Sequence, residues 1–195
     1  MFLVPITVSG RHAHLCRRDI DAIFGVGYQL HKKKDLIQPG QWASEETIGI
    51  CHGHDFLDNV RILGPERPET QIEISMTDCR KLKIKPFVRM SGDLDGTPGI
   101  IIIGTKGRTT YIEKGVIVAK AHIHMPIDNP STWGLNLVDN EKVLVHTFGD
   151  RPSIVEAVLR ISGDFVLEMH VDVDESNAIG CPSGGVGRVL DERKI

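Results

Sequence analysis

Short runs of β-branched and other apolar residues recur along the whole chain and predict many short strands. Gly, Pro, Asp or Asn interrupts most of the gaps between these runs, a pattern typical of strands joined by turns. The predicted strands are residues 6–8, 47–50, 60–63, 71–74, 87–90, 100–103, 109–112, 116–119, 143–146, 154–161 and 165–171.

Helical patterns are few and short. They cover residues 17–24, 78–82 and 174–178, and Gly25 follows the first of them as a suitable C-cap. Helices of one or two turns cannot organise a helical bundle. The hydrophobic pattern therefore predicts a mostly β protein, built from small β-barrels with short helices.

A partial internal repeat indicates two similar barrels. The sequences HAH (residues 12–14) and HIH (residues 122–124) each close an apolar run and precede a polar stretch. The sequence SGD at 91–93 recurs at 162–164 with a different spacing, so that a swapped strand or an insertion would be needed. We expect a first half at 1–115, a second half at 116–180 with strand exchange between the barrels, and a loosely held tail at 181–195, which is rich in glycine near its start.

Composition and net charge argue against several classes of protein. The chain has 195 residues, 41% of them hydrophobic and 25% charged, as in packed proteins. The net charge of −3 argues against nucleic acid and anionic membranes as partners. Four cysteines without a C-x-x-C pair favour reduced thiols, and no apolar run approaches the ~20 residues of a membrane span. These features predict a cytoplasmic protein.

Histidine spacing supplies the first chemical signal. Side chains i and i+2 of a strand share a face about 6–7 Å apart, so that His12 lies beside His14 and His122 beside His124. Each pair can reach one ion at Zn–N distances of about 2.0–2.1 Å. One such pair alone would favour two surface imidazoles on a polar face, whereas two pairs in equivalent settings favour metal binding.

A catalytic zinc needs a third protein ligand and an open position. Glu73 points away from Ile72 and Ile74 in one predicted strand, and His170 lies in another, where Glu168 shares its face. A buried carboxylate or imidazole needs a partner, and a metal is one candidate. For each residue alone, the alternative is a position on the rim of a barrel.

The remaining histidines favour other roles. The sequence CHGH at 51–54 contains metal-ligand residue types, but Gly53 and the following Asp55 favour an exposed hairpin turn. His31 precedes three lysines and belongs to a solvated charge run. His146 has no ligand partner nearby in its strand and is interpreted as structural.

Arg67 lies in the rigid loop GPERP at 64–68, just upstream of Glu73. A guanidinium on such a loop suits bidentate recognition of phosphate, and a solvent-facing arginine is an equal alternative. The motifs GxGxxG, GxxxxGK[ST] and GxSxG do not occur in the sequence, so that dinucleotide folds, P-loops and serine hydrolases have no support.

Long segments of the chain resemble the phosphate propanoyltransferases, a family of phosphate acyltransferases (phosphotransacylases). The resemblance covers residues 4 to about 180. The matching segments are VPITVSGRHAHL (4–15), KDLIQPGQ (34–41), ET (46–47), RILGP (61–65) with Arg67, TQIEIS (70–75), RMSGD (89–93), GVIVA (115–119) with HIHM (122–125), and LEMH (167–170).

The resemblance implies two small β-barrels with two Zn²⁺ ions between them and an active site at their interface. It implies interconversion of a short-chain acyl-CoA (propanoyl-CoA or acetyl-CoA) and phosphate with acyl phosphate and coenzyme A. The implied site residues are His12, His14 and Glu73 for one zinc, His122, His124 and His170 for the other, Arg67 for phosphate, and Ser91 near the reacting centre.

Direct transfer without a covalent acyl-enzyme is expected, since Cys16, Cys51 and Cys79 have no visible base partner. The CHGH turn departs from the Gly-rich turn usual in the family. Only residues 1–3 precede the matching segment, which does not indicate association with a bacterial microcompartment. A homodimer stays open.

Two alternatives from other classes remain at this point. A zinc-dependent thioester or phosphoester hydrolase would use the same ligands with water, and would not need phosphate for activity. A non-catalytic metal-binding β module would close each site with four ligands, whereas three leave a position for substrate.

Overall fold

A computed structural model of the chain describes residues 2–127 and 137–190. The β-rich class predicted from the sequence is confirmed. The strands are β1 (Phe2–Ser9), β2 (His12–His14), β3 (Lys32–Asp35), β4 (Trp42–His52), β5 (Asp55–Gly64), β6 (Gln71–Glu73), β7 (Val88–Arg89), β8 (Ile100–Ile103), β9 (Thr109–Ile112), β10 (Val116–Ala119), β11 (His122–Met125), β12 (Lys142–Thr147), β13 (Ser153–Ile161), β14 (Glu168–Asp172) and β15 (Gly185–Val189). The helices are α1 (Arg17–Phe24), α2 (Met76–Leu82) and α3 (Val173–Ile179), with a 3-10 turn at Thr105–Gly107.

The chain forms two compact units. The barrel unit consists of residues 1–9 and 120–195, and the sheet unit consists of residues 10–119. The predicted boundaries at 115 and 180 therefore differ from the structure. The physical reason is pairing: β1 is hydrogen-bonded to β14 and β15, whereas β10 is hydrogen-bonded to β6 and β7.

The barrel unit closes six strands in the order β1-β14-β11-β13-β12-β15. Alternate residues of these strands face inward and form an apolar core, to which Val4, Ile6, Ile123, Leu159 and Met169 contribute fully buried side chains. Val4 and Ile6 belong to the first strand of the chain, so the N-terminus completes a core made mostly from the C-terminal half.

The predicted loosely held C-terminal tail differs from the structure at residues 185–189. Residues 185–189 are β15, which pairs with both β1 and β12 and closes the barrel, so they are not loosely held. The glycines that suggested looseness instead permit close packing: a Cβ at Gly187 would lie 2.5 Å from Val145 Cγ1. Residues 191–195 of the predicted tail lie outside the described residues.

The sheet unit is a nine-stranded sheet in the order β7-β10-β6-β2-β5-β4-β8-β9, with β3 paired to β4. Its core is rich in isoleucine, with Ile20, Ile50, Ile62, Ile72 and Ile102 fully buried. The lysine run after His31 forms the exposed strand β3, where charged side chains discourage pairing with other chains.

Helices α2 and α3 each begin at a side-chain cap. Ser75 accepts a hydrogen bond from Asp78 N at the start of α2. Asp172 and Glu175 form a reciprocal capping box at the start of α3. Ser75 lies two residues after the end of β6, and Asp172 is the last residue of β14. Each cap therefore marks the place where the strand ends and the helix begins. Within the described ranges, no helix has the length and apolar character needed to span a membrane.

Candidate active site

The first cluster consists of His12, His14 and Glu73 and is built on two adjacent strands of the sheet unit. In the antiparallel pair β2 and β6, His12 is the register partner of Glu73. One ligand atom from each of the three residues lies within 4.8 Å of the others. His12 Nε2 is 3.4 Å from Glu73 Oε2, close to the roughly 3.3–3.5 Å that separates two ligands of one tetrahedral zinc.

Hydrogen bonding and burial prepare the two imidazoles of the first cluster as ligands. His12 Nδ1 lies 2.8 Å from the Gly10 carbonyl oxygen, which leaves Nε2 for an ion. His14 Nδ1 is buried and has no hydrogen-bond partner among the residues that the structure describes. A buried nitrogen without a partner is costly unless it binds something, and a cation fits it.

The pKa values of the two rings are shifted in opposite directions. Burial lowers the pKa of His12, but the Glu73 carboxylate outweighs it, so that the pKa is raised. Burial, helped by the positive charges of His12 and Arg67, lowers the pKa of His14 to about 3. His14 is therefore neutral near pH 7, as metal ligation requires.

The second cluster consists of His122, His124, Glu168 and His170 in the barrel unit. In the antiparallel pair β11 and β14, His122 is the register partner of His170, and His124 is the register partner of Glu168. The ring centroids of His122 and His124 are each about 5 Å from that of His170, at 5.1 and 4.9 Å. Ligand atoms of His124, Glu168 and His170 lie within 4.8 Å of one another.

The second cluster repeats the hydrogen-bonding plan of the first. His122 Nδ1 lies 2.8 Å from the Lys120 carbonyl oxygen, which leaves Nε2 for an ion. His124 Nδ1 is buried without a hydrogen-bond partner in the described part of the chain. Burial and the neighbouring His122 and His170 lower the pKa of His124 to about 3. Imidazole and carboxylate donors with prepared lone pairs fit zinc in both clusters.

Glu168 is a residue of this cluster that the sequence-derived ligand set lacks. It is 2% exposed, and its Oε2 lies 2.9 Å from His170 Nε2. The sequence contained the signal, since Glu168 and His170 are two positions apart in one strand and share a face.

A hydrogen-bonded chain joins the first cluster to Arg67. The Gln71 side-chain amide donates to Glu73 Oε1 at 2.5 Å and to Ser91 Oγ at 2.8 Å. Arg67 Nη1 also donates to Ser91 Oγ, at 2.9 Å. Gln71 Oε1 accepts from Gly92 N at 2.7 Å and so fixes the turn that carries Ser91.

This chain defines what the sheet unit can do chemically. The Ser91 hydroxyl accepts two hydrogen bonds, so its own proton points elsewhere and can be donated to a ligand. Arg67 is partly buried, and its positive charge acts to lower the pKa of both His12 and His14. A guanidinium, a hydroxyl donor and a cation-binding cluster together make a site for an anionic oxygen ligand. Sequence reasoning did not identify Gln71.

The other predicted residues stay apart from the clusters. The turn at 51–54 connects β4 and β5, with Gly53 at φ 59° and His52 Nδ1 3.0 Å from the Leu82 carbonyl oxygen. His31 is exposed and contacts Glu46. His146 lies on β12 beside Phe148. In the described residues, the groups of three or more potential ligands do not include any of these histidines.

The chain matches a family model over most of its length. Residues 5–182 match the model of the phosphate propanoyltransferases. This range contains every residue of both clusters, together with Arg67, Gln71 and Ser91.

Curated relatives agree with that match. A phosphate propanoyltransferase of Thermotoga maritima is 48% identical over 189 residues, covering 96% of this chain and 89% of the relative. One from Listeria monocytogenes is 46% identical over 193 residues, covering 98% of this chain and 89% of the relative. One from Enterococcus faecalis is 46% identical over 187 residues, covering 95% and 87% respectively.

Proposed function

The chain belongs to the phosphate propanoyltransferase family, and from that premise we propose that it transfers a short acyl group between coenzyme A and inorganic phosphate. In the forward direction a phosphate oxygen attacks the thioester carbonyl carbon. A carbon–oxygen bond forms, the carbon–sulfur bond breaks, and the sulfur leaves as the thiolate of coenzyme A. The products are an acyl phosphate and free coenzyme A, with propanoyl and acetyl groups as the candidate acyl chains.

Arg67 and Ser91 bind the phosphate in this proposal. Phosphate is already anionic at neutral pH, so it needs orientation and charge compensation more than a general base. Arg67 can present two parallel N–H donors to two phosphate oxygens. Ser91, held by Arg67 and Gln71, donates its remaining proton to the same ligand. Together they fix the direction from which the nucleophilic oxygen approaches.

Each histidine cluster holds one Zn²⁺ ion in this proposal. The supporting observations are the two buried nitrogens without hydrogen-bond partners in the described residues, His14 Nδ1 and His124 Nδ1, and the neutral state of both rings near pH 7. A bound zinc would supply Lewis-acid stabilisation of developing negative charge on oxygen or sulfur. Glu73, fixed by Gln71, and the Gly10 and Lys120 carbonyls keep the ligands oriented.

The transfer is direct, without a covalent acyl-enzyme. Cys16 and Cys79 are buried, and Cys51 belongs to the turn at 51–54 and is not a member of either cluster. Burial of the Cys16 thiol against Asp19, a carboxylate, does not favour a thiolate nucleophile.

The observation that carries the proposal is the hydrogen-bonded chain from Arg67 through Ser91 and Gln71 to Glu73. It couples an anion-binding guanidinium to a cluster suited to a metal. The test is thiol release from propanoyl-CoA and acetyl-CoA at varied phosphate, compared between the wild type, Arg67→Lys and the exposed control Arg80→Lys. Arg67→Lys keeps the charge but loses the planar fork, so we expect KM for phosphate to rise ~10-fold to 100-fold.

The same assay separates the transferase from the hydrolase. The relatives reported above are all named phosphate propanoyltransferases, which gives the hydrolase no support. A transferase releases thiol only when phosphate is present and forms one acyl phosphate per thiol. Thiol release at an unchanged rate without phosphate would contradict the proposal, and an unchanged phosphate KM in Arg67→Lys would remove Arg67 from the phosphate site.

The cytoplasmic location is part of the proposal as well, and fractionation of the producing cells tests it. Light scattering of the purified enzyme measures whether the enzyme is a homodimer. Recovery with a microcompartment fraction would contradict the predicted location.

A further inference from the structure

Asp19 is a fully buried carboxylate of the sheet unit that takes no part in the proposed reaction. Its side chain is 0% exposed. Its Oδ2 accepts hydrogen bonds from Thr70 Oγ1 at 2.6 Å and from Cys16 Sγ at 3.3 Å. Its Oδ1 accepts one from Arg18 Nε at 3.0 Å. A buried charge costs more than an apolar side chain of similar size, even when it is well paired. The charge is therefore best explained by what it holds in place.

The hydrogen bonds around Asp19 keep it ionised near neutral pH. Burial by itself would raise the pKa of the carboxyl group, but the hydrogen bonds from Arg18, Thr70 and Cys16 outweigh burial and lower the pKa. An ionised carboxylate only accepts hydrogen bonds, so the Thr70 hydroxyl must be the donor between these two residues. The lone pairs of the hydroxyl oxygen then face another donor.

The start of α1 supplies that donor. The N-cap residue Cys16 donates its backbone N–H to Thr70 Oγ1 at 3.0 Å. Asp19 is the third residue of α1, the position from which an acidic side chain ordinarily reaches the N-cap N–H directly. At the start of α3, Glu175 does so and accepts from Asp172 N at 2.9 Å. In α1, the shorter aspartate reaches the N-cap N–H through a hydroxyl that lies 51 residues further along the chain.

Thr70 lies in the segment 67–71, which carries Arg67 and Gln71 of the proposed phosphate site. At one end of the segment, Arg67 N donates to the Leu15 carbonyl oxygen at 3.0 Å. Near the other end, the Thr70 hydroxyl accepts from the N-cap residue of α1. The segment is thus attached twice to the two residues that follow β2, and the second attachment depends on a side chain.

We propose that Asp19 and Thr70 are positioning residues of the phosphate site, which set where the segment 67–71 lies against the end of β2 and thereby where Arg67 and Gln71 present their side chains. This inference rests on the proposed function and goes beyond it. Neither Asp19 nor Thr70 belongs to the two clusters or to the hydrogen-bonded chain that joins Arg67 to the first cluster.

A small displacement of this segment matters because the hydrogen bonds of the phosphate site are short. Gln71 donates to Ser91 Oγ at 2.8 Å, and Arg67 donates to the same oxygen at 2.9 Å. A displacement of about 1 Å breaks such bonds, and a misplacement of this size can lower a rate about 100-fold even when its origin is remote from the reacting atoms. Since Arg67 and Ser91 are the proposed phosphate contacts, the effect should fall on phosphate more than on propanoyl-CoA.

The test uses the full-length enzyme as purified and compares Thr70→Val, Thr70→Ser, Asp19→Asn and the control Thr109→Val, at an exposed position of β9. Thiol release is measured at varied phosphate and, separately, at varied propanoyl-CoA, so that each variant yields kcat and two KM values. Circular dichroism shows whether each variant is folded. A general structural defect would change both KM values, whereas a positioning role in the phosphate site changes one.

We expect KM for phosphate to rise ~10-fold in Thr70→Val, which keeps the shape of the side chain but removes the hydroxyl between Asp19 and the Cys16 N–H. Thr70→Ser retains the hydroxyl and should stay within about twofold of wild type. Asp19→Asn removes the charge that orients the hydroxyl and should raise the same KM ~3-fold to 10-fold. In each of these variants, KM for propanoyl-CoA should change by less than about twofold.

The outcomes distinguish this inference from the proposed function. A wild-type enzyme whose thiol release does not depend on phosphate contradicts the proposed function itself. A phosphate-dependent wild type, with the phosphate KM unchanged in Thr70→Val, contradicts the inference alone. An equal rise in both KM values also contradicts it, since it would indicate a general structural role. If Thr70→Val does not fold, Asp19→Asn decides by the same two KM values, with Thr109→Val expected to match the wild type.

Discussion

The two histidine clusters share one backbone plan and differ at both polar positions of the partner strand, where Glu73 and Gln71 of the first cluster correspond to His170 and Glu168 of the second. Both place an H-x-H strand against an antiparallel strand, with the first histidine bonded to the carbonyl two residues earlier and the second buried. At the position opposite the second histidine, Gln71 bonds toward Ser91 and Glu73, whereas Glu168 bonds toward Thr7 and His170.

This difference shows how one strand arrangement can either connect a cluster to neighbouring residues or add charge to the cluster itself. An amide donates and accepts at once, so Gln71 can connect a ligand to the residues that bind phosphate. A carboxylate only accepts, so Glu168 adds negative charge to its own cluster. Histidine spacing alone does not distinguish the clusters, because the distinction lies in the partner strand.

The largest expected effect comes from removing the buried histidine of either cluster. His14→Ala and His124→Ala should each lower turnover by at least about 10³-fold, since each removes a ligand of a proposed catalytic ion. Steady-state thiol release measures the loss, with His146→Ala as a control outside both clusters. Full activity in either variant would show that its cluster is dispensable, and would contradict the claim that both clusters take part in the reaction.

Gln71 should have the next largest effect, and on one substrate more than the other. Gln71→Leu removes the connection between Glu73 and Ser91, so KM for phosphate should rise ~10-fold to 100-fold while KM for propanoyl-CoA changes little. The exposed Gln29→Leu serves as the control. An equal rise in both KM values would indicate a general structural role instead.

Gly187 tests how tightly the barrel unit is closed. Gly187→Ala places a Cβ 2.5 Å from Val145 Cγ1, and such overpacking should lower the free energy of unfolding by about 1–3 kcal/mol. Gly163→Ala in the same unit has room and should stay within about 0.5 kcal/mol of wild type. Urea denaturation measures both, and equal stability would mean that β15 is not packed against β12 as described.

The smallest expected effect is a pH dependence of stability in the barrel unit. Burial raises the pKa of Glu175 to about 7, against the lowering effect of the Asp172 backbone N–H. The folded state therefore favours the protonated acid, so its stabilising contribution is complete below pH 4.5 and is lost as the pH rises through 7. Glu175→Gln should flatten this decline in urea titrations between pH 5 and pH 8, whereas Glu156→Gln should not.

The class of fold was predictable from the sequence because β-branched runs and turn residues are local signals. The helix at 17–24 is confirmed at both ends, since Gly25 stops it through a local backbone preference. The assignment of β1 and β10 to units was not predictable, because it depends on pairing between segments that are not neighbours in sequence: Ile6 of β1 pairs with Met169, and β10 pairs in parallel with β6 and β7. The glycines before Val189 suggested a loose tail, and only the packing shows that they allow close approach.

The candidate site was predictable where ligands are neighbours in sequence. The pairs at 12–14 and 122–124 follow from strand geometry alone, and the family resemblance supplied Glu73 and His170 as their partners. Gln71 escaped notice because its importance lies in hydrogen bonds between strands. A glutamine in a strand has no chemical signature until its neighbours are known.

The most direct test of the account follows metal content and turnover together in His170→Ala. The account predicts that the variant retains the ion of the first cluster, loses the other, and transfers no acyl group above background, while the wild type binds two ions and is active. Near-wild-type turnover with one ion lost would show that the second cluster is structural and would contradict the claim that the reaction needs both.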